Sequence, residues 1–265
     1  MRWYDRWLLG RAALRNAFLP SPARDLPPFV QQILQHVIVP SRNTSPQFSS
    51  IEALRSSWLK EKTLLSITDL GAGSKIQQSK QRSVASLVRH SSTPPRFSRL
   101  LFHLIQFLDG TTVAELGTSV GLNTLYLRQA IPTHGQLYTF EGCPEIAHWA
   151  TQAFQNQTSL PIHTTIGNLD ETWPSFLAEA PALDLVYMDA NHQLAPTLAY
   201  FEAMLPRLHP HSIVVVDDIY WSREMHQAWS ALQTHPQVSL SLDLFEAGLL
   251  LLNPDLPQQT FRIRY

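Results

Sequence analysis

From residue 112 onward the chain alternates short apolar runs with longer amphipathic stretches, and this alternation limits the fold more than any other feature. Apolar runs at 113–116, 136–140, 162–166, 183–188 and 212–216 read as strands. The stretches at 122–130, 144–155, 173–179, 195–208 and 223–234 read as helices between them. Strict strand–helix alternation implies parallel strands joined by helical crossovers, that is, a doubly wound α/β sheet. Two further strand candidates, 238–245 and 248–253, are separated only by a short turn at Glu246-Ala247-Gly248 and predict an antiparallel hairpin ending the sheet. The expectation is a Rossmann-like, mostly parallel, seven-stranded sheet with that hairpin and a tail at 260–265.

Ligands of such sheets bind beyond the carboxyl ends of the strands. Those ends here are Glu115 to Gly117, Glu141, Asn168, Asp189 and Asp217-Asp218, mostly acidic or small. A dinucleotide pyrophosphate asks for glycine-framed amides in Gly-x-Gly-x-x-Gly spacing and no nearby anion. The spacing present is Gly117-x-x-x-Gly121, with Glu115 at the strand end. A carboxylate there repels pyrophosphate but suits the ammonium and sulfonium of S-adenosylmethionine (SAM). Glu141, at the end of the next strand, stands where an acidic residue accepts hydrogen bonds from ribose hydroxyls.

The segment Val113-Ala114-Glu115-Leu116-Gly117-Thr118-Ser119-Val120-Gly121-Leu122-Asn123-Thr124 resembles the first motif of class I SAM-dependent methyltransferases. Asp189-Ala190-Asn191-His192, followed by the strand ending in Asp217-Asp218, is similar to the O-methyltransferase branch, as is Ser92-Thr93-Pro94-Pro95 before a helix. Pro210-His211-Ser212 departs from the Pro-Gly-Gly usual in that branch. The resemblance covers roughly 93–252. It implies O-methylation of a small-molecule hydroxyl. It also implies that Glu115 faces the methionine ammonium, that Gly117, Thr118, Ser119 and Gly121 let the backbone approach SAM, that Glu141 holds the ribose and that Asn168 lies by the adenine. Asp189 would lie near the methionine end or the acceptor.

Two mechanisms remain open from the sequence. A divalent cation such as Mg²⁺ on Asp189 with Asp217 or Asp218 would acidify the acceptor hydroxyl. Alternatively His192 is the general base; Asp189 and His192 are the catalytic candidates.

The region before the sheet is helical and basic. Helices are expected at 1–19, 26–39, 51–62, 84–90 and 95–108, with a strand or extended arm at 64–70. Residues 1–102 carry 15 Lys/Arg against 5 Asp/Glu, whereas residues 103–265 carry 5 against 16. The simplest account is that the two regions attract one another; an RNA or protein methyltransferase using the basic region, or a non-catalytic SAM-binding module, is the alternative. No aromatic-basic nucleic-acid signature accompanies the charge. The division expected is therefore 1–92 as a helical cap and 93–265 as the SAM-binding domain. Asp69-Leu70-Gly71-Ala72-Gly73-Ser74 looks like a second nucleotide loop but has no acidic-ended strand after it, and reads as a loop or an active-site lid. One cysteine, Cys143, excludes an internal disulfide, and no apolar run of about 18 residues exists for a transmembrane helix. A soluble cytoplasmic protein is expected, with a homodimer left open.

Overall fold

The computed structural model describes Gly10, residues 26–68 and residues 81–265. The expected helix at 1–19 and the Gly71 to Ser74 loop lie outside the described residues. Two compact units divide the described chain, one spanning Pro28–Thr172 and the other including Trp173–Tyr265.

The first unit opens with helix α1 (28–41), which is π-helical over Leu34–Ile38. Pro40 lies just beyond and has no amide hydrogen to return to the His36 carbonyl, which accounts for the widened turn. Helix α2 (Ser49–Trp58) follows, then strand β1 (Leu64–Ser66), paired antiparallel with β2 (Gln81–Ser83). Ser83 caps helix α3 (Val84–His90) by accepting from the Ser86 N–H at 3.2 Å. Helix α4 (Pro95–Phe107) starts on a proline at its first turn, where the missing N–H costs nothing.

The alternating elements come next: β3 (Thr112–Leu116), α5 (Leu122–Ala130), β4 (Gln136–Glu141), α6 (Pro144–Gln157) and β5 (His163–Ile166). Strands β3, β4 and β5 are parallel, with Glu115 opposite Thr139 and Glu141 opposite Ile166. Phe48, Ile51, Trp58 and Val84 bury themselves in the same apolar cluster as Val120, Tyr126, Ala150 and Phe154. The boundary expected at residue 92 therefore falls inside a shared core. Arg128, 1% exposed, spends its guanidinium on the carbonyls of Ile131, Pro132 and Gly135, so a cation satisfies the end of α5 and the turn into β4. Helix α7 (Leu169–Glu179) begins in this unit.

The second unit holds β6 (Leu183–Met188), α8 (Leu194–Met204), β7 (Leu208–Asp217), α9 (Arg223–Gln233), β8 (Leu240–Asp243), β9 (Ala247–Leu251) and β10 (Gln259–Arg262). Its strands run in the order β10-β8-β9-β7-β6. β6 and β7 are parallel, and β9 is antiparallel to both β7 and β8, which gives the expected hairpin. The 260–265 segment is corrected: its first residues form β10, parallel to β8, so the sheet strands of the two units number eight among the described residues rather than seven. The fold is mixed α/β and Rossmann-like, its sheet mostly parallel. Among the described residues no helix is long and apolar enough to cross a membrane.

Gly248 is required by packing. A Cβ there would stand 2.3 Å from the Trp229 ring, and Trp229 is itself fully buried. Gly248→Ala should lower unfolding stability by about 1–3 kcal/mol in urea denaturation, since the ring is walled in and cannot retreat. Unchanged stability would show that the indole has room to move.

Candidate functional site

Glu115 to Gly121, Glu141 and Asn168 lie on the first unit, at the carboxyl ends of β3, β4 and β5. The chain leaves β3 through Gly117 (φ 104°), Ser119 (φ 49°) and Gly121 (φ 87°), a run of left-handed residues that turns it sharply into α5. Gly121 is obligatory, because a Cβ there would lie 2.5 Å from the Phe154 ring. The amides of Gly117 and Thr118 both donate to the Phe140 carbonyl at 3.0 Å, which pins the loop over the end of β4. Glu141 is fixed from both sides: its Oε2 accepts from Ser119 N–H and its Oε1 from Cys143 N–H, each at 2.9 Å. The Gly167 N–H donates to the Glu141 carbonyl at 3.0 Å and brings Asn168 alongside. Asn168 Oδ1 accepts from Asp170 N–H at 3.1 Å and starts α7.

The Glu115 side chain is fully buried. Oε1 accepts from Asn123 Nδ2 at 2.8 Å, and Oε2 accepts from Thr124 Oγ1 at 2.5 Å and Thr139 Oγ1 at 2.7 Å. Since Thr139 gives its hydrogen to Glu115, its contact with Thr118 Oγ1 at 2.5 Å is one in which Thr118 donates. The carboxylate is thus tied through one hydroxyl to the loop and through two side chains to the start of α5. Burial pushes its pKa up to about 7, against the opposing pull of the three donors. By contrast, the hydroxyl of Ser119 is buried in the loop with no protein partner.

Asp189, His192, Asp217 and Asp218 lie on the second unit, after β6 and β7. Asn191 (φ 67°) and His192 (φ 45°) are both left-handed, which folds the segment after Met188 back on itself. The fold-back places His192 Nε2 3.5 Å from Asp189 Oδ1, with both side chains about one-fifth exposed. Asn191 Nδ2 anchors the turn on the Tyr200 hydroxyl at 3.0 Å. The His192 ring also meets Trp221, centroid to centroid at 5.5 Å. Asp217 accepts the Tyr187 hydroxyl on Oδ2 and the Asp218 N–H on Oδ1 at 2.8 Å. Burial, reinforced by the neighbouring Asp218 charge, raises the Asp217 pKa to about 7.

Among the described residues no group of three or more His, Cys, Asp or Glu is placed to hold a metal ion. Asp217 is engaged by Tyr187 and by its own neighbour's amide.

Residues 114–219 match the family model described as "Methyltransferase domain". A catechol O-methyltransferase from Niastella koreensis is 26% identical over 130 residues, 48% of this chain and 58% of that protein. The mouse catechol O-methyltransferase domain-containing protein 1 is 26% identical over 135 residues, 49% of this chain and 50% of that protein. Residues 114–219 of this chain are thus similar to a methyltransferase domain. The chain spans about half the length of the curated relatives it matches. Solved structures share its fold. The O-methyltransferase TomG from Streptomyces achromogenes, in complex with SAM, superposes with a TM-score of 0.53 at 20% identity, over 62% of this chain and 82% of that one. A Podospora anserina methyltransferase bound to S-adenosylhomocysteine (SAH) gives 0.61 at 13% identity, over 89% and 100%.

Several residues of the candidate site escaped the sequence reading. Thr139 faces Glu115 only because the parallel register sets the two strands opposite each other, and register is not written in either strand alone. Tyr187 reads as an apolar strand residue until β7 brings Asp217 against its hydroxyl.

The Glu115 and Asp217 carboxyls give stability a definite pH dependence. Each binds its proton more tightly in the folded chain than in the unfolded one, so protonation favours folding. Their joint contribution is full below about pH 4 and is lost as pH rises to about 7. Glu115→Gln should remove about 3 kcal/mol of the stability that the wild type loses between pH 4.5 and 8. Urea unfolding across that range checks this, and parallel profiles for the two proteins would contradict it.

Proposed function

We propose that this chain transfers a methyl group from SAM to a hydroxyl of a small molecule. The observation that carries the reading is the pair of held groups at β3 and β4: a glycine-framed loop with an unpartnered buried Ser119 hydroxyl, and a Glu141 carboxylate locked in place by two backbone amides. The Glu141 carboxylate oxygens are acceptors suited to ribose hydroxyls, and the buried Ser119 hydroxyl has hydrogen-bonding capacity that the loop does not use. These residues fit SAM. When bound, SAM supplies an electrophilic methyl group on a sulfonium.

In this reading the cofactor-binding set is Gly117, Ser119, Gly121, Glu141 and Asn168, with Glu115 and Thr118 acting from behind the loop. His192 takes the proton from the acceptor hydroxyl, which turns it into a competent nucleophile. Asp189 holds the imidazole and stabilises the imidazolium that forms. This reading gives the proton transfer to His192 rather than to a cation on the carboxylates. The names of the catechol O-methyltransferase relatives point to an aromatic hydroxyl as the acceptor class. Helices α2 and α3, which share the core of the first unit, would act as a cap on the SAM-binding part of the chain.

The test is incorporation of labelled methyl from SAM into a panel of catechols and phenols, with and without EDTA. His192→Ala should cut turnover about 10²-fold or more while SAM binding is retained. EDTA should have no effect. A His192→Ala variant with wild-type turnover would refute the base assignment, and abolition of turnover by EDTA would restore the cation mechanism.

A further inference from the structure

A second buried carboxylate network stands apart from the groups used so far. Asp243, at the end of β8, is 1% exposed. Its Oδ2 accepts from the Tyr220 hydroxyl at 2.6 Å and from Arg262 Nε at 2.8 Å, and Arg262 Nη2 also lies 2.8 Å from it. Oδ1 accepts from Phe245 N–H at 2.9 Å. Arg262 Nη2 also donates to the Tyr220 hydroxyl at 2.8 Å, which closes a three-membered ring of charge-assisted hydrogen bonds. The Tyr220 ring is held on two sides, by Phe245 at 5.9 Å and by His226 at 5.3 Å.

What this network grips is the turn that leaves β7. Tyr220 lies two residues after Asp218 and immediately before Trp221. The turn is tight: Asp218 is left-handed at φ 54°, and Trp221 N–H closes back on the Asp218 carbonyl at 2.9 Å. Trp221 is the residue whose ring meets His192. The only side chain in the network that reaches in from β10 is Arg262, so a strand remote in sequence from the turn determines how firmly the turn is held. A fork-shaped guanidinium serves both oxygens at once, which an ammonium cannot do.

We infer that Tyr220, Asp243 and Arg262 form a clamp that fixes the turn after β7 and thereby holds Trp221 against His192 on the acceptor side. These are positioning residues, and none of them is assigned a part in bond making. The effect on turnover rests on the acceptor-side reading of His192 given above, whereas the effect on the turn does not.

The experiment combines amide hydrogen exchange with kinetics on the full chain bearing Tyr220→Phe, Arg262→Met or Arg262→Lys. Tyr220→Phe and Arg262→Met should speed exchange of residues 218–222 by about tenfold. They should raise the acceptor KM by about fivefold with kcat reduced less, and leave the SAM dissociation constant within about twofold of wild type. Arg262→Lys should recover part of the protection, because it restores the charge without the fork. Tyr220→Phe, which removes one hydroxyl only, keeps the comparison decisive if Arg262→Met fails to fold. Faster exchange confined to residues 259–265, with the turn and the acceptor KM unchanged, would show that the network merely staples β10 to β8 and would overturn the inference. A wild type that transfers no methyl group would refute the function proposed above, while the exchange data would still decide whether the clamp sets the turn.

Discussion

Glu115 is a carboxylate without access to water, and such a group survives in a protein interior only if every lone pair that matters finds a donor. Its three donors come from different places: Thr139 on β4, and Asn123 and Thr124 on the first turn of α5. Satisfying one charge therefore fixes the strand spacing, the entry of the helix and, through Thr118, the glycine loop between them. Each donor removed would leave part of a desolvated charge uncompensated, at roughly 1–3 kcal/mol. The loop geometry is held from within, which leaves its outer polar groups, Ser119 and Glu141, for a ligand.

The second unit repeats the device. Asp217 is satisfied by Tyr187 and by the Asp218 amide, and Asp243 by Tyr220, Arg262 and the Phe245 amide. In each case an acid stands at the end of a strand and a tyrosine hydroxyl answers it. The strand ends that look in sequence like a row of equivalent contacts thus divide into two kinds. Glu115 and Asp243 are fully buried and hold their loops in shape, whereas Asp217, like Glu141, Asp189 and His192, keeps some exposure.

Much of this was legible in the sequence, though unevenly. The strand–helix alternation, the hairpin of β8 and β9 and helix α9 follow from periodicity, which is a property of short windows. The strand β10 was not legible, since Gln259 to Arg262 has no inward-outward pattern of its own and gains its role from pairing with β8. β2 is three residues long and polar, and only its partner β1 makes it a strand. The π-helical turn before Pro40 reflects a missing hydrogen bond, which no apolar pattern records. At the site, the loop glycines and Glu141 could be found from spacing. The inward turn of Glu115 and the commitment of Asp217 could not, because both depend on partners brought by tertiary register.

The central claim is that the loop from Gly117 to Gly121 and the amide-locked Glu141 form the SAM site. Calorimetric titration of the full chain with SAH, alongside a Glu141→Ala variant, tests it most directly. The account predicts stoichiometric binding by the wild type and a loss of about tenfold or more in affinity in the variant, since a charge-assisted pair of ribose hydrogen bonds disappears. Absence of binding by the wild type, or equal affinity in the variant, would contradict it.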